Sequence, residues 1–436
     1  MTKVFTSILF FMLMSAMASF QPAHAELRIE ITKGISAAVP IAVVPFGYTG
    51  PGAAPFDVAG VVAADLASSG RFDPMDRKDM LEMPSSGAEV DFQDWRLLKA
   101  QVLVIGKVSP INADEYSIQF QVFDVFKREQ ILGYRMPTTR AAMRASAHYV
   151  ADMIFEKLTG VKGVFSTQVA YVTVTGKGKD RNFELVVADA DGANAKSISN
   201  SPDPIMSPSW SPDGRKLAYV SFEGGTSAVY VQILRSGFRQ KVSSRRGVNG
   251  APVWHPDGRS LALTLSQGDG NLDIYVLELT SGRLERITSH PAIDTEPEWR
   301  KDGRGLYFTS DRSGRAQIYE LELQDKKAVR ISREGSYNAR PRLSPDGKQL
   351  SLVTLDRGNY RIGIMDLERG TLRVLSEGKL DESPAFAPNG QTLIYAAREG
   401  SQGVLATVSA DGQIRGRIAS ADGDVREPVW SPFPPN

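Results

Sequence analysis

Apolar positions in residues 41–158 change period repeatedly, and each change marks an element. The continuous run Ile41-Ala-Val-Val44 has the pattern of a buried strand, whereas Val58, Val62 and Leu66 recur at helical spacing behind Asp57, with Gly70 as the stop. A helix is expected over 94–99 and a strand over 102–105. Strict alternation of Tyr116, Ile118, Phe120 and Val122 with Ser117, Gln119 and Gln121 predicts a strand with one face in the core, and 131–136 reads as its hairpin partner. A helix over 139–158, with Met143, Ala147, Val150, Ile154 and Leu158 as its inward stripe, closes the unit. These elements predict a compact α/β domain, with 160–163 as the linker out of it.

Beyond residue 164 the pattern becomes periodic on a larger scale. Pro208-Ser-Trp210-Ser-Pro212-Asp213-Gly214 returns as Pro252-Val-Trp254-His-Pro256-Asp257-Gly258 and Pro297-Glu-Trp299-Arg-Lys301-Asp302-Gly303, then more faintly at Pro341, Pro384 and Pro428. Glycines 214, 258, 303, 347 and 390 stand 43 to 45 residues apart, the length of one propeller blade. Asp-Gly tolerates positive φ and so closes a tight hairpin, and the short apolar runs that follow bring each unit to four strands. The sixth copy stops after its first strand, while 169–173, 185–187 and 195–198 read as the other three strands of a blade that lacks its first. With 428–432 supplying that strand, an all-β six-bladed propeller closes on itself and leaves no open first or last blade.

The N-terminus carries a different signal: Lys3, an apolar run over 4–20, then Ala23-His24-Ala25, the order of a secretory signal peptide cleaved after Ala25. The run is short for a membrane anchor and carries Thr6, Ser7, Ser15 and Ser19; no later segment is long enough to span a bilayer, so no membrane insertion is expected. Cleavage frees an arm, Glu26-Leu27-Arg28-Ile29-Glu30-Ile31-Thr32-Lys33-Gly34, whose apolar residues alternate with polar ones. Two fates stay open for it: adding edge-on to a partner's sheet, or serving as an edge strand of its own domain. The expected organisation is a signal peptide over 1–25, an α/β domain over 26–160 and the propeller over 164–436.

Composition narrows the chemistry. Cysteine is absent, which excludes disulfides, thiolate metal sites and cysteine nucleophiles, and 51 basic against 50 acidic residues give no field that would gather nucleic acid. The histidines left after cleavage, His148, His255 and His290, are scattered, and His255 fills a turn slot held elsewhere by Ser211, Arg300 and Ser344. No G-x-S-x-G elbow is present, Gly176-Lys-Gly-Lys lacks the rest of a phosphate loop, and Asp189-Ala-Asp191-Gly192 lacks the rest of a calcium loop. No catalytic residue, cofactor or metal is therefore expected. What remains is a surface. Residues ahead of each first strand should converge on one rim of the propeller: Met206, Asn249, Ala251, Asp294, Thr295, Glu296, Asn338, Arg340, Asp381, Glu382, Arg426 and Glu427. They vary from blade to blade on a repeated frame, as an asymmetric protein partner requires. A propeller-based hydrolase and a small-ligand sensor are the alternatives.

Taken together, the signal peptide, the arm, the Pro40-Ile-Ala-Val-Val-Pro45-Phe46 segment and the Trp-Ser-Pro-Asp-Gly repeats resemble the TolB family of the Tol–Pal cell-envelope system, over nearly everything after residue 25. The fifth repeat departs from the pattern, with Phe386 and Asn389 in place of Trp and Asp. The resemblance implies a periplasmic monomer whose propeller rim binds the lipoprotein Pal and whose arm binds the C-terminal domain of TolA. It also implies roles in outer-membrane integrity and in envelope constriction during division.

Overall fold

A computed structural model describes residues 28–33, 38–266, 270–419 and 423–434. The expected signal peptide and the arm residues Glu26, Leu27 and Gly34 lie outside the described residues. The N-terminal part is built on one mixed sheet. Strand β1 (Arg28–Lys33) stands apart from it; β2 (Val39–Val43), β3 (Gly47–Tyr48), β4 (Phe72–Pro74), β5 (Val102–Pro110), β6 (Glu115–Asp124) and β7 (Glu129–Thr139) form it in the order β4-β2-β5-β6-β7, with β3 also on β5. Strand β2 runs parallel to β4 and β5, while β5, β6 and β7 form an antiparallel meander.

Helices cover both faces of this sheet, which explains why β2 and β5 read as continuous apolar runs instead of alternating ones. On one face α1 (Val58–Ser68) and α3 (Met143–Thr159) press Val62, Leu66, Met143, Val150 and Ile154 onto Ile41, Val104, Ile118 and Phe120. On the other, the short α2 (Phe92–Leu97) drives Trp95 against Leu103, Ile105 and Phe123, and the indole N–H donates to Glu82 at 2.7 Å. Asp57 caps α1 as expected by accepting from the Gly60 N–H. Helix α2 begins two residues earlier than the apolar pattern predicts, because the Asp91 side chain accepts from Gln93 N and fixes the first turn there. Strands β5, β6 and β7 outrun their apolar cores, since the backbone ladder continues where side chains face water.

The repeats form six antiparallel four-stranded blades. Ring closure follows the sequence reading: Asp424–Trp430 pairs with Gln168–Thr175 as the innermost strand of blade 1, with Asn182–Asp189 and Lys196–Ser201 outside them. The Asp-Gly turns adopt positive φ at each glycine, 67° at Gly214 and 72° at Gly258. The tryptophans do more than fill space. The Trp254 N–H donates to Ser209 O at 3.1 Å, Trp299 to Val253 O at 3.3 Å, and Trp210 to Val429 O at 3.3 Å, each on the innermost strand of the preceding blade. Around Trp254, Ala218, Val220 and Val229 of blade 2 meet Leu261, Leu263 and Leu277 of blade 3 in one cluster. Each indole thus ties neighbouring blades by burial and by one directed hydrogen bond.

The arm does not take the second of its two expected places, an edge of its own domain. Strand β1 pairs antiparallel with Arg415–Ala419, the outermost strand of blade 6, with Arg28 opposite Ala419 and Ile31 opposite Gly416. It is an edge strand, but of the propeller and not of its own domain. Nor is the 160–163 segment a loose tether. Gly160 caps α3 at φ 75°, and Asp152 on α3 accepts from Phe165 N at 2.7 Å and Ser166 N at 3.1 Å, drawing the incoming chain back onto the helix. The two parts also meet directly: Gly70 sits so close to Ile414 that a Cβ there would lie 2.6 Å from its Cγ2, and Asn389 donates to Lys162 O.

Replacing Trp254 with Phe keeps an aromatic ring but removes the N–H and part of the indole, so chemical denaturation should register a loss of about 1–2 kcal/mol. Trp254→Ala also opens a cavity between two blades and should cost about 3–5 kcal/mol. A Trp254→Phe variant as stable as the unaltered chain would show that the indole hydrogen bond contributes nothing.

Candidate functional site

Except for Asp381, which directly precedes its strand, the expected rim residues do not precede the first strands; they are in them. Innermost strands run over Ile205–Trp210, Asn249–Trp254, Asp294–Trp299, Asn338–Leu343, Glu382–Phe386 and Asp424–Trp430. Each is interrupted by a bulge that shifts register immediately around a proline, for example between Thr295 and Glu298 and between Ala339 and Arg342. Proline cannot donate to the ladder, so the sequence appears to begin a strand there when it is in fact crossing a bulge.

That bulge has a consistent backbone signature. The residue before each proline is left-handed in all six blades: Ser207 (φ 53°), Ala251 (45°), Glu296 (53°), Arg340 (60°), Ser383 (57°) and Glu427 (49°). None is glycine, and each such residue costs about 1–2 kcal/mol of backbone strain. The sixfold frame that holds Trp and Pro in the core therefore turns one residue per blade inward around the channel. Sequence reasoning found four of these six and missed Ser207 and Ser383; the x-Pro position of the repeat was the signal that would have found them.

The inward residues touch one another. Arg340 reaches Glu427 at 3.0 Å and Glu296 at 3.5 Å, and donates to the Ser383 hydroxyl, so one guanidinium joins four blades across the channel. Glu427 also accepts from Ser207 N at 2.6 Å, and Glu296 from Arg340 N at 2.9 Å. Thr295 lies beside them, its hydroxyl 3.3 Å from that of Thr264. Glu382 and Met206 are half-buried, and Met206 packs onto the cluster around Trp254. Arg426 pairs with Asp424 at 2.6 Å and lines a groove of about 820 Å³ between blades 1 and 6 together with Lys177, Arg181 and Arg398.

Four of the expected rim residues are corrected by burial. Asn249, Asp294, Asn338 and Asp381 are between 0% and 1% exposed and offer no side chain to a partner. Asn249, Asn338 and Asp381 hold the loops that arrive from the preceding blade, and Asp294 holds a turn of its own blade. Asn249 Oδ1 accepts from Arg245 N, Asp294 takes both its oxygens to Arg312 Nη2, Asn338 Nδ2 donates to Glu334 O, and Asp381 Oδ2 accepts from Gly378 N. A buried polar side chain whose hydrogen bonds run to the chain around it is a structural fastener. The loop tips they hold place Val248 and Ile293 at the surface, each 44% exposed.

The histidines divide. His255 is the turn residue the repeat implies, with Nδ1 accepting from Asp257 N, and its ring also meets Trp299 edge-on at 4.5 Å. His148 is far from the other histidines in the sequence, but it has charged partners of its own. On α3 it lies between Asp65 of α1, whose carboxylate is 2.7 Å from Nδ1, and Asp191 of blade 1, 3.8 Å from Nε2. These three are grouped as metal ligands would be, but Arg144 already donates to the same Asp191 oxygen, and a cation there would face a guanidinium.

The comparisons with known proteins agree with this geometry. Residues 27–131 match the family model described as the TolB amino-terminal domain, and residues 155–434 that of the TolB beta propeller domain. The Tol-Pal system protein TolB of Thioalkalivibrio sulfidiphilus is 52% identical over 413 residues, 94% of this chain and 95% of that protein. That of Nitrosococcus oceani is 53% identical over 417 residues, 95% of this chain and 96% of that protein. The crystal structure of TolB from Acinetobacter baumannii, 37% identical, matches with a TM-score of 0.86 over 93% of this chain and all of that chain.

The left-handed residues make a prediction opposite in sign to the usual effect of glycine. Ala251→Gly should stabilise the chain by up to about 1 kcal/mol, as relieved strain outweighs the added freedom of the unfolded state. A lowered urea midpoint would mean that the bulge is not strained.

Proposed function

The chain belongs to the TolB family and is a cell-envelope component of the Tol-Pal system, and from that premise we propose that it acts in the periplasm by binding two proteins. Pal docks on the channel mouth, and the C-terminal domain of TolA takes the arm over 26–34. The protein works by recognition and not by catalysis, and it serves outer-membrane integrity and envelope constriction during division.

One observation carries this reading: the arm is attached as an added strand. Its pairing with Arg415–Ala419 is β-augmentation within one chain, the same interaction through which extended segments join a partner's sheet. A segment that holds by its backbone edge can exchange one sheet for another. The mouth supports the second half of the reading. Exposed apolar tips at Val248 and Ile293 lead into two of the innermost strands, the half-buried charges of Glu296, Arg340 and Glu427 sit on strands of the same innermost set, and this mixture of apolar contact and fixed charge suits a protein surface. The contact then falls to Thr295, Glu296, Arg340, Glu382, Glu427 and the two tips, with Asn249, Asp294, Asn338 and Asp381 behind them.

Both partners meet one molecule, so mouth occupancy and arm release are coupled. Deleting residues 26–34 should abolish capture of TolA and leave Pal binding intact. Val248→Asp with Ile293→Asp should weaken Pal at least ~10-fold, about 1.4 kcal/mol, and leave TolA binding unchanged in the absence of Pal. Titration calorimetry on the purified chain reads both. TolA binding that survives loss of the arm would overturn its assignment, and a TolA affinity indifferent to saturating Pal would overturn the coupling.

A further inference from the structure

The group around His148 is the most unusual buried chemistry among the described residues, and the partner reading above does not use it. His148 is 2% exposed, on the face of α3 that meets the propeller. Its Nδ1 is engaged by Asp65 at 2.7 Å, which sets the tautomer: the N–H donates to the carboxylate and leaves a lone pair on Nε2. That Nε2 is buried and has no hydrogen-bond partner, and it faces Asp191 Oδ2 at 3.8 Å across the junction between the α/β domain and blade 1. Asp191 sits in the turn between Asn182–Asp189 and Lys196–Ser201. A buried lone pair facing a carboxylate is repelled by it. The same atom bearing a proton would donate to it.

We propose that His148 is a proton-operated latch between the two parts of the chain: protonated at Nε2, it closes onto Asp191 and clamps the α/β domain to the propeller, and deprotonated, it lets go. Every charged group around it fits that role. From α1 comes Asp65; from α3, Arg144 and Asp152; from the blade 1 turn, Asp189 and Asp191. Four carboxylates face one guanidinium, so the site lacks positive charge until the imidazole supplies it. Burial by itself disfavours the charged ring, but the hydrogen bond and charge of Asp65 and the charge of Asp191 outweigh it and hold His148 above the ordinary imidazole value. Burial likewise pushes Asp65 up to about 6. A cavity of about 60 Å³, lined in part by Asp65 and Asp191, gives water access to the pair.

The sign follows from that direction. A raised imidazole stabilises the closed junction fully below its unfolded value of about 6.5, and this is lost as the pH rises through the higher folded value. Asp65 acts in the same sense, because a carboxylate raised to about 6 costs stability as it ionises. The consequence reaches the arm, since α1, which carries Asp65, also touches β1. Acid therefore fixes the helix against which the arm lies, and a more alkaline medium loosens it.

Histidine NMR on the intact mature chain tests this, because few histidines are present. His148 should titrate above ~6.5, and Asp191→Asn should lower that value by about one unit while His255 and His290 stay where they are. Arg144→Gln should move it the opposite way, since a competing positive charge is removed; this second variant keeps the test decisive should Asp191→Asn fold poorly. Thermal unfolding of the unaltered chain should shift upward from pH 8 to pH 6, and the shift should shrink in Asp191→Asn. A His148 pKa that ignores both substitutions overturns the latch. So does a His148 resonance that moves on adding zinc and returns with EDTA, which would put a metal where the proton is proposed.

Discussion

Everything in the larger part of this molecule depends on a few backbone hydrogen bonds between segments about 250 residues apart in the chain. Asp424–Trp430 pairs with Gln168–Thr175 through N–H and C=O groups on two strand edges, and the Trp430 indole donating to the Thr167 hydroxyl and Gln168 N donating to the Ser431 hydroxyl fix the closure there. Once closed, the ring fixes the spacing of its inner strands, and this allows a strained residue before each proline to persist. A left-handed Arg340 or Glu427 would relax in an isolated hairpin. In the ring, the proline that follows and the bulged pairing with the next strand determine its position, and the guanidinium of Arg340 is held where three other blades can reach it.

The repeat made most of this legible. Trp, Asp-Gly and the apolar runs recur because every blade must satisfy the same packing, and a sixfold pattern survives Phe386 in place of one Trp and the loss of the aromatic at Leu343. The rim was harder for two physical reasons. Proline looks like a strand boundary and here marks a bulge, so residues read as loop belong to the channel wall. Polar residues at a variable position look like surface, whereas Asn249 and Asp294 are buried with their hydrogen bonds satisfied by Arg245, Ser243 and Arg312. Burial of a satisfied polar group leaves no mark in hydropathy.

The His148 group lay beyond sequence reasoning for another reason. Asp65 is 83 positions from His148, and Asp191 is 47 from Arg144; no local period links them, and each alone is an ordinary polar residue. Met143, Ala147, Val150 and Ile154 of the expected α3 stripe are buried and Leu158 is partly buried, and that spacing carries no information on the polar residues between them. A helix that serves two interfaces buries more than one stripe: one face of α3 meets the sheet, and His148, Ser146 and Asp152 are buried as well. Sequence periodicity reports the larger face and is silent on the second.

The position of the arm brings these points together. Its own sheet ends at β4, three residues long and closed by Pro74, and on the other side at β7, so the described edge that accepts it is on the far domain, at Arg415–Ala419. Backbone pairing there is worth little net free energy per bond, roughly 0.5–1.5 kcal/mol, and an equivalent strand in another sheet would give much the same. Exchange between two such sheets is therefore nearly neutral in hydrogen bonds. What favours the docked state is tethering, because the arm meets its own blade at an effective concentration of the order of millimolar. That advantage exists only while the α/β domain is held against the propeller. Whatever loosens the junction at Gly70, Arg144 and His148 lowers the effective concentration and shifts the arm toward a competing edge, without altering any residue of the arm itself.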